Sequence, residues 1–287
     1  MALVKWENKY MKTVVMIYFL LFLLMLSSCG KNDVGGTTAG NPLVSFTMTG
    51  SSAPTTVAKQ NLRFPILAGL LTEAVALPPP TLRDSTNAVI SLSKAWISVK
   101  QVEFKSTESA GAGEVDGDSV SFETPTAINL IASTLQSFGQ ARIGSSLRRL
   151  KMQLHNVDVL PAGAPAGLTG KSFYWEGMIE ARRFTFSSTE GYEYELAGPN
   201  GVILSENSNI LLSIQIANLF KKINMTNVVD GTVISQSSRV PAVNPCPLIN
   251  ASASDIYTCF KDGLKSEANL GNDERNDGEL TGDSTIK

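Results

Sequence analysis

Histidine occurs once in the 287 residues, at His155, and cysteine three times, at Cys29, Cys246 and Cys259. One histidine excludes every multi-histidine metal site and makes any serine–histidine or cysteine–histidine mechanism depend on that residue. Charge is scarce too. Charged side chains are 17% of the chain, and 24 basic against 26 acidic groups leave a net charge of −2. Without a basic surplus there is nothing to neutralise a phosphate backbone, so no nucleic-acid partner is expected. A membrane-spanning run is also missing. The apolar stretch from Thr13 to Leu26 covers fourteen residues, short of the roughly 20 that a spanning helix needs. What the chain has is apolar content: 43% hydrophobic residues, too many for a wholly disordered polypeptide.

The first thirty residues form an address. Lys12 precedes the apolar run, and Ser27 and Ser28 follow it. A basic start, a short apolar stretch and small residues at a cut site make an export signal. Met11-Lys12 opens a complete signal by itself, so residues 1–10 read as an extended basic start or as sequence ahead of the true one.

The stretch Leu26-Ser27-Ser28-Cys29-Gly30 resembles the lipobox of bacterial lipoproteins. The resemblance implies that Cys29 is diacylated, that the signal is cut before it, and that the new amino terminus is acylated. Each buried methylene of such chains contributes about 0.8 kcal/mol to membrane attachment, so a multiply acylated protein stays on its membrane. Similarity to enterobacterial lipoproteins implies outer-membrane sorting, because Gly30 rather than aspartate follows the cysteine. The implied location is the cell envelope, with the bilayer as a partner through acylated Cys29 and the facing side open.

Residues 29–41 are rich in Gly and Thr and carry nothing to bury, as a flexible tether would. With Cys29 consumed by lipid, Cys246 and Cys259 form an even pair in an oxidising compartment. A disulfide is favoured over two unrelated thiols. Closing a loop of that size contributes about 3 kcal/mol in the chain-entropy model.

The body reads as strands. Val44, Phe46 and Met48 alternate with Ser45, Thr47 and Thr49; Leu150, Met152 and Leu154 alternate with Arg149, Lys151 and Gln153; Ile210, Leu212, Ile214 and Ile216 share a face. Two longer runs change phase. In Ala95–Phe104 the apolar set moves from Ile97 and Val99 to Val102 and Phe104, and in Phe173–Phe186 from Phe173, Trp175 and Ile179 to Phe184 and Phe186. Such a shift marks a β-bulge or a strand turning a sandwich corner. Helical spacing is confined to Ile128, Ile131 and Leu135 and to Phe64, Leu67 and Leu71. The expected fold is mainly β: an antiparallel β-sandwich, immunoglobulin- or prealbumin-like, with two or three short helices. The run from Asn87 to Leu160 loosely resembles β-sandwich domains of bacterial envelope lipoproteins, which implies the same fold and no catalytic residue. The expected layout is a signal at 1–28, a tether at 29–41, the sandwich at 42–224, a disulfide-bearing extension at 225–265 and an acidic, disordered tail at 266–287.

Chemistry candidates are few. Asp273 and Asp277 match positions 1 and 5 of a calcium loop, but Arg275 and Ser284 stand at positions 3 and 12, where oxygen ligands belong. Glu114, Asp116 and Asp118 alternate in a Gly-rich turn and form a second acidic group, equally readable as a solvated loop. Glu193 and Glu195 lie about 6.8 Å apart on one strand face, a spacing within the range for paired carboxylates in glycoside hydrolysis. Tyr174, Trp175, Tyr192 and Tyr194 nearby serve as cross-strand packing or as a sugar-binding face. Ser91 and Lys94 have the Ser-x-x-Lys spacing of penicillin-interacting enzymes, but in a strand-like run and without the companion motifs. No cofactor is implied. The function expected from sequence is a lipid-anchored envelope module that binds a protein or glycan or acts as scaffold, with a glycan hydrolase using paired carboxylates as the alternative. Calcium binding at either acidic loop predicts a higher melting temperature on adding millimolar calcium; an unchanged melt in scanning fluorimetry removes both loops from consideration.

Overall fold

The structure is a computed structural model that describes residues 41–51, 81–106, 119–123, 125–132, 134–144, 146–157, 159–274 and 280–286. Cys29, the helically spaced Phe64, Leu67 and Leu71, the acidic group Glu114, Asp116 and Asp118, and Asp277 lie outside them. The fold is mainly β, with two sheets in a sandwich-like arrangement and two helices. One sheet has five strands: β1 (Leu43–Ser51), β6 (Gln136–Arg142), β11 (Ser208–Gln215), β13 (Ala268–Asn272) and β14 (Thr281–Ile286), in the order β14-β13-β11-β1-β6. The other has nine. Its path is β10-β7-β3-β8-β9-β12, formed by β3 (Val89–Lys105), β7 (Ser146–Leu154), β8 (Phe173–Ile179), β9 (Arg182–Ser188), β10 (Tyr192–Ile203) and β12 (Thr232–Ile234). Three short strands, β2 (Leu82–Arg83), β4 (Ser119–Phe122) and β5 (Thr126–Asn129), also pair with β3.

The 17 residues of β3 pair with five other strands. A strict alternation over that length would turn half of its apolar residues to solvent. Two register shifts prevent this, between Leu92 and Lys94 against β8 and between Val99 and Gln101 against β7. The second is the phase change visible in sequence: exposed Lys100 is the extra residue, and Ile97, Val99, Val102 and Phe104 are all buried. Phe46 of β1 closes the sandwich from the opposite sheet, its ring 4.2 Å from Phe104 and 5.4 Å from Phe122.

Beyond that end the larger sheet is covered by helices α1 (Ile216–Lys221) and α2 (Ile256–Ser266). Phe260 of α2 stacks on Phe186 at 4.1 Å and meets Trp175 edge-on at 4.9 Å, while Phe220 of α1 lies 6.1 Å from Trp175. Such pairs contribute about 0.5–1.5 kcal/mol each beyond their area burial. The alternation pattern does not predict helix α2, yet its signal is in the chain. Asp255 accepts a hydrogen bond from the Thr258 N–H at 2.8 Å as N-cap, and buried Ile256, Cys259, Phe260, Gly263 and Leu264 follow at helical spacing.

Four expectations are corrected. The phase change in Phe173–Phe186 is a two-residue hairpin between β8 and β9, so Phe173, Trp175, Phe184 and Phe186 share one face. Glu180 makes that turn without glycine at φ +51°; its side chain and N–H bond the Val89 N–H and carbonyl. The helical spacing at 128–135 belongs instead to β5 and a turn, where the ladder with β3 outweighs propensity. The acidic tail is not wholly outside the fold. Strand β13 carries a single large apolar residue, Leu270, and holds its place through the ladder with β11, so composition hid it. Finally, no boundary falls at residue 224: Met225, Val228, Ile234, Ile256 and Phe260 belong to the same core cluster as Phe46.

The two sheets are mostly antiparallel, with parallel pairs at β1–β11 and β9–β12. In keeping with parallel pairing, β11 is buried on both faces, Leu211 and Ser213 as fully as Leu212. Among the described residues no helix is long and apolar enough to cross a membrane.

Asp84, 1% exposed, fastens the β2–β3 hairpin to the chain after α1. One carboxylate oxygen accepts from the Thr86 N–H and hydroxyl and the Ala88 N–H, the other from the Met225 N–H at 3.0 Å. Removing it strands buried donors at about 1–3 kcal/mol each. Asp84→Ala therefore lowers the unfolding free energy by about 3 kcal/mol in urea titration; a loss below about 1 kcal/mol would show that water replaces the carboxylate.

Candidate functional site

The carboxylates singled out in sequence occupy the outer face of β10. Glu193 pairs across the ladder with Gln153 and bonds Lys151 at 3.0 Å and Gln153 Nε2 at 3.2 Å. Glu195 has Arg149 Nε at 3.8 Å. Both are exposed, in a row of cross-strand charge pairs of a kind that contributes a few tenths of a kcal/mol each. The aromatic residues beside them do not form a platform for sugar: Trp175 and Tyr194 are buried in the core, and Tyr192 stacks on Tyr194.

Other candidates disperse. Asp273 is fully buried at the end of β13, its N–H donating to the Asn209 carbonyl at 2.8 Å. Among the described residues no three His, Cys, Asp or Glu side chains converge as a metal site would require. His155 is exposed, with Nδ1 3.1 Å from the Asn156 carbonyl oxygen. Lys94 is engaged with Glu176 at 2.7 Å and lies over Tyr174. Burial and the hydrogen bond and charge of Glu176 push the Tyr174 phenol up to about 12. Burial would raise the Glu176 carboxyl, but hydrogen bonds from Lys94 and Tyr174 outweigh it and hold the group below its ordinary value.

The structure brings together a different set, at the edge of the larger sheet. Cys246 and Cys259 are joined in a disulfide with Cα atoms 5.8 Å apart, both fully buried, tying the loop before α2 to the first turn of that helix. Helix α2 then runs beside edge strand β10. At one end Tyr257 meets Tyr192 hydroxyl to hydroxyl, Ser188 Oγ lies 2.6 Å and 2.9 Å from the two phenols, and Glu190 accepts from Tyr192 at 2.9 Å. Burial raises both phenols above their ordinary value, so both keep their protons at neutral pH. Lys261 and Arg239 cover the rings of Tyr192 and Tyr257.

Further along, strand, helix and loop separate into a groove of about 590 Å³. Its walls are Glu195 and Leu196 of β10, Asp262, Lys265 and Ser266 of α2, and Ile249, Asn250 and Ala251 of the disulfide-anchored loop. Asn250 Nδ2 donates to Asp262 at 2.7 Å, joining loop to helix. Sequence reasoning reached Glu195 but not the helix facing it, whose capped pattern begins at Asp255. The groove offers carboxylates, an ammonium, an amide and a hydroxyl, the equipment of binding; Glu193, the partner a two-carboxylate hydrolysis would need, is not among its walls. Comparison with known proteins yields no match among family models, curated proteins or solved structures.

The wall depends on the Asp255 cap. Burial raises that carboxyl, but bonds from the Thr258 N–H and hydroxyl and from Arg239 at 3.1 Å prevail and hold it below its ordinary 3.8. A carboxyl depressed in the folded state stabilises above its unfolded pKa, and that stability is lost as pH falls through the folded one. Asp255→Ala is expected to cost about 1–2 kcal/mol at pH 7. The difference from the parent should shrink as the pH is lowered below about 4; a constant difference in acid would assign the loss to packing instead.

Proposed function

We propose that the protein is a lipid-anchored component of the bacterial cell envelope, held on the outer membrane by acylated Cys29, whose sandwich-like domain binds rather than catalyses. The observation that carries this reading is the Cys246–Cys259 disulfide. It lies fully buried beneath the groove wall, and such bonds belong to oxidising compartments outside the cytosol. That agrees with the export signal and lipobox-like Leu26–Gly30 segment in the same chain. The binding half rests on the groove between β10 and α2, whose walls carry varied polar groups without a catalytic set. A glycan hydrolase has less support, because Glu193 is committed to Lys151 and Gln153 on an open strand face.

Changing Cys29 to Ala tests the anchor. The expected outcome is uncleaved precursor, or mature protein released from membranes in fractionation; membrane-bound protein of mature size from that variant would overturn the lipoprotein reading. Glu195→Gln tests the alternative, since polysaccharide turnover abolished by that change would make the protein a hydrolase.

A further inference from the structure

The binding reading leaves the ligand open, and the charge balance of the groove narrows it. Glu195 enters its wall from β10, and Asp262 and Lys265 enter from α2. Cations surround the carboxylates: Lys151 is the ladder partner of Glu195, Arg149 Nε lies 3.8 Å from it, and Lys261 precedes Asp262 on the helix. A charged ligand of either sign therefore meets a like charge along with an opposite one, and such juxtapositions are costly. The groove favours a ligand without net charge.

Hydrogen-bonding capacity is left over on both signs. Asp262 takes one bond, from Asn250 Nδ2 at 2.7 Å. Glu195 accepts no hydrogen bond, and Lys265 forms no ion pair, among the described residues. Asn250 and Ser266 are spent on the walls themselves: Asn250 Oδ1 accepts from the Ser252 N–H and hydroxyl, and the Ser266 hydroxyl bonds the end of its own helix at the Gly263 carbonyl and Glu267. Two carboxylates and one ammonium thus remain for a ligand. A hydroxyl suits all three, since it donates to a carboxylate, accepts from an ammonium and carries no charge. The other walls, Leu196, Ile249 and Ala251, are aliphatic and offer contact to C–H surface. The volume of about 590 Å³ lies within the roughly 300–1,000 Å³ of small-molecule sites. We propose that the groove binds an uncharged saccharide, whose hydroxyls donate to Glu195 and Asp262 and accept from Lys265. The proposal deepens the binding-module reading and rests on it. No aromatic ring is among the walls, so the affinity expected is weak, about 1 mM.

The test uses the full-length protein in micelles of a sugar-free detergent, read by saturation-transfer NMR titration. The probes are the uncharged hexasaccharides cellohexaose, maltohexaose and the N-acetylglucosamine hexamer, with galacturonate and glucosamine hexamers as anionic and cationic counterparts. At least one uncharged hexamer is expected to bind, more tightly than either charged one. Its affinity should change less than about twofold between about 50 and about 500 mM sodium chloride, since no charge pair forms that salt could screen. Glu195→Gln, Asp262→Asn and Lys265→Met should each weaken it about fivefold. Ala251→Trp, at an exposed wall position, should abolish binding without moving the melting transition. Binding of no uncharged hexamer, tighter binding of a charged one with an affinity that falls with salt, or binding indifferent to Ala251→Trp would overturn the proposal. Hexamer recovered intact supports the binding-module reading, and hexamer recovered shortened overturns that reading separately from the ligand class. Membrane fractionation of the Cys29→Ala variant tests the anchor independently, so a failed saccharide site and a failed lipoprotein reading are distinguishable.

Discussion

Strand β3 is the member on which the rest of the molecule depends. Its 17 residues pair with β2, β4, β5, β7 and β8, so a shift in its phase would displace the nine-stranded sheet as a whole. Side chains in a strand alternate strictly, and one slipped residue exchanges core for solvent. The register shifts at Leu92/Lys94 and Val99/Gln101 reset that alternation twice, which keeps Ile90, Ile97, Val102 and Phe104 on the buried side of one long ribbon. Because the ribbon outruns the five-stranded sheet facing it, its far end needs another cover. Helices α1 and α2 supply it through Phe220 and Phe260.

The groove follows from that solution. A helix laid beside an edge strand leaves a channel between the two, and here the channel is held open by fixed points. The disulfide and Asn250 tie the loop to α2, the Asp255 cap sets where the helix begins, and the hydroxyl cluster of Ser188, Tyr192 and Tyr257 joins helix to sheet. These are stability elements, and the same elements preorganise a surface. A site assembled in this way has little conformational entropy left to lose on binding.

Strands with a clean apolar face were legible because alternation is a local property. Those around Phe46, Met152 and Leu212 lie where period two places them, and the bulge at Lys100 was visible as a change of parity. The Glu180 turn was not, since it lacks the glycine or asparagine that marks a tight hairpin and relies on bonds to Val89, distant in sequence. Strand β13 was hidden by the acidic composition around it. Helix α2 was legible in principle, through its Asp255 cap and apolar spacing, but the period-two alternation that dominates the chain masked it. The candidate site was half visible: Glu195 stood out as a carboxylate, while its setting required knowing which element runs beside β10.

The sequence by itself determined that the fold is mainly β, because strand alternation is written in neighbouring residues. Only the tertiary structure decided that β11 is buried on both faces, that residues 225–274 complete the same core, and that Glu195 looks across a groove at Asp262 rather than toward a catalytic partner. Those facts depend on which distant segments meet. Local pattern sets how a strand or helix orients its own side chains, but packing among all of them sets what those side chains face.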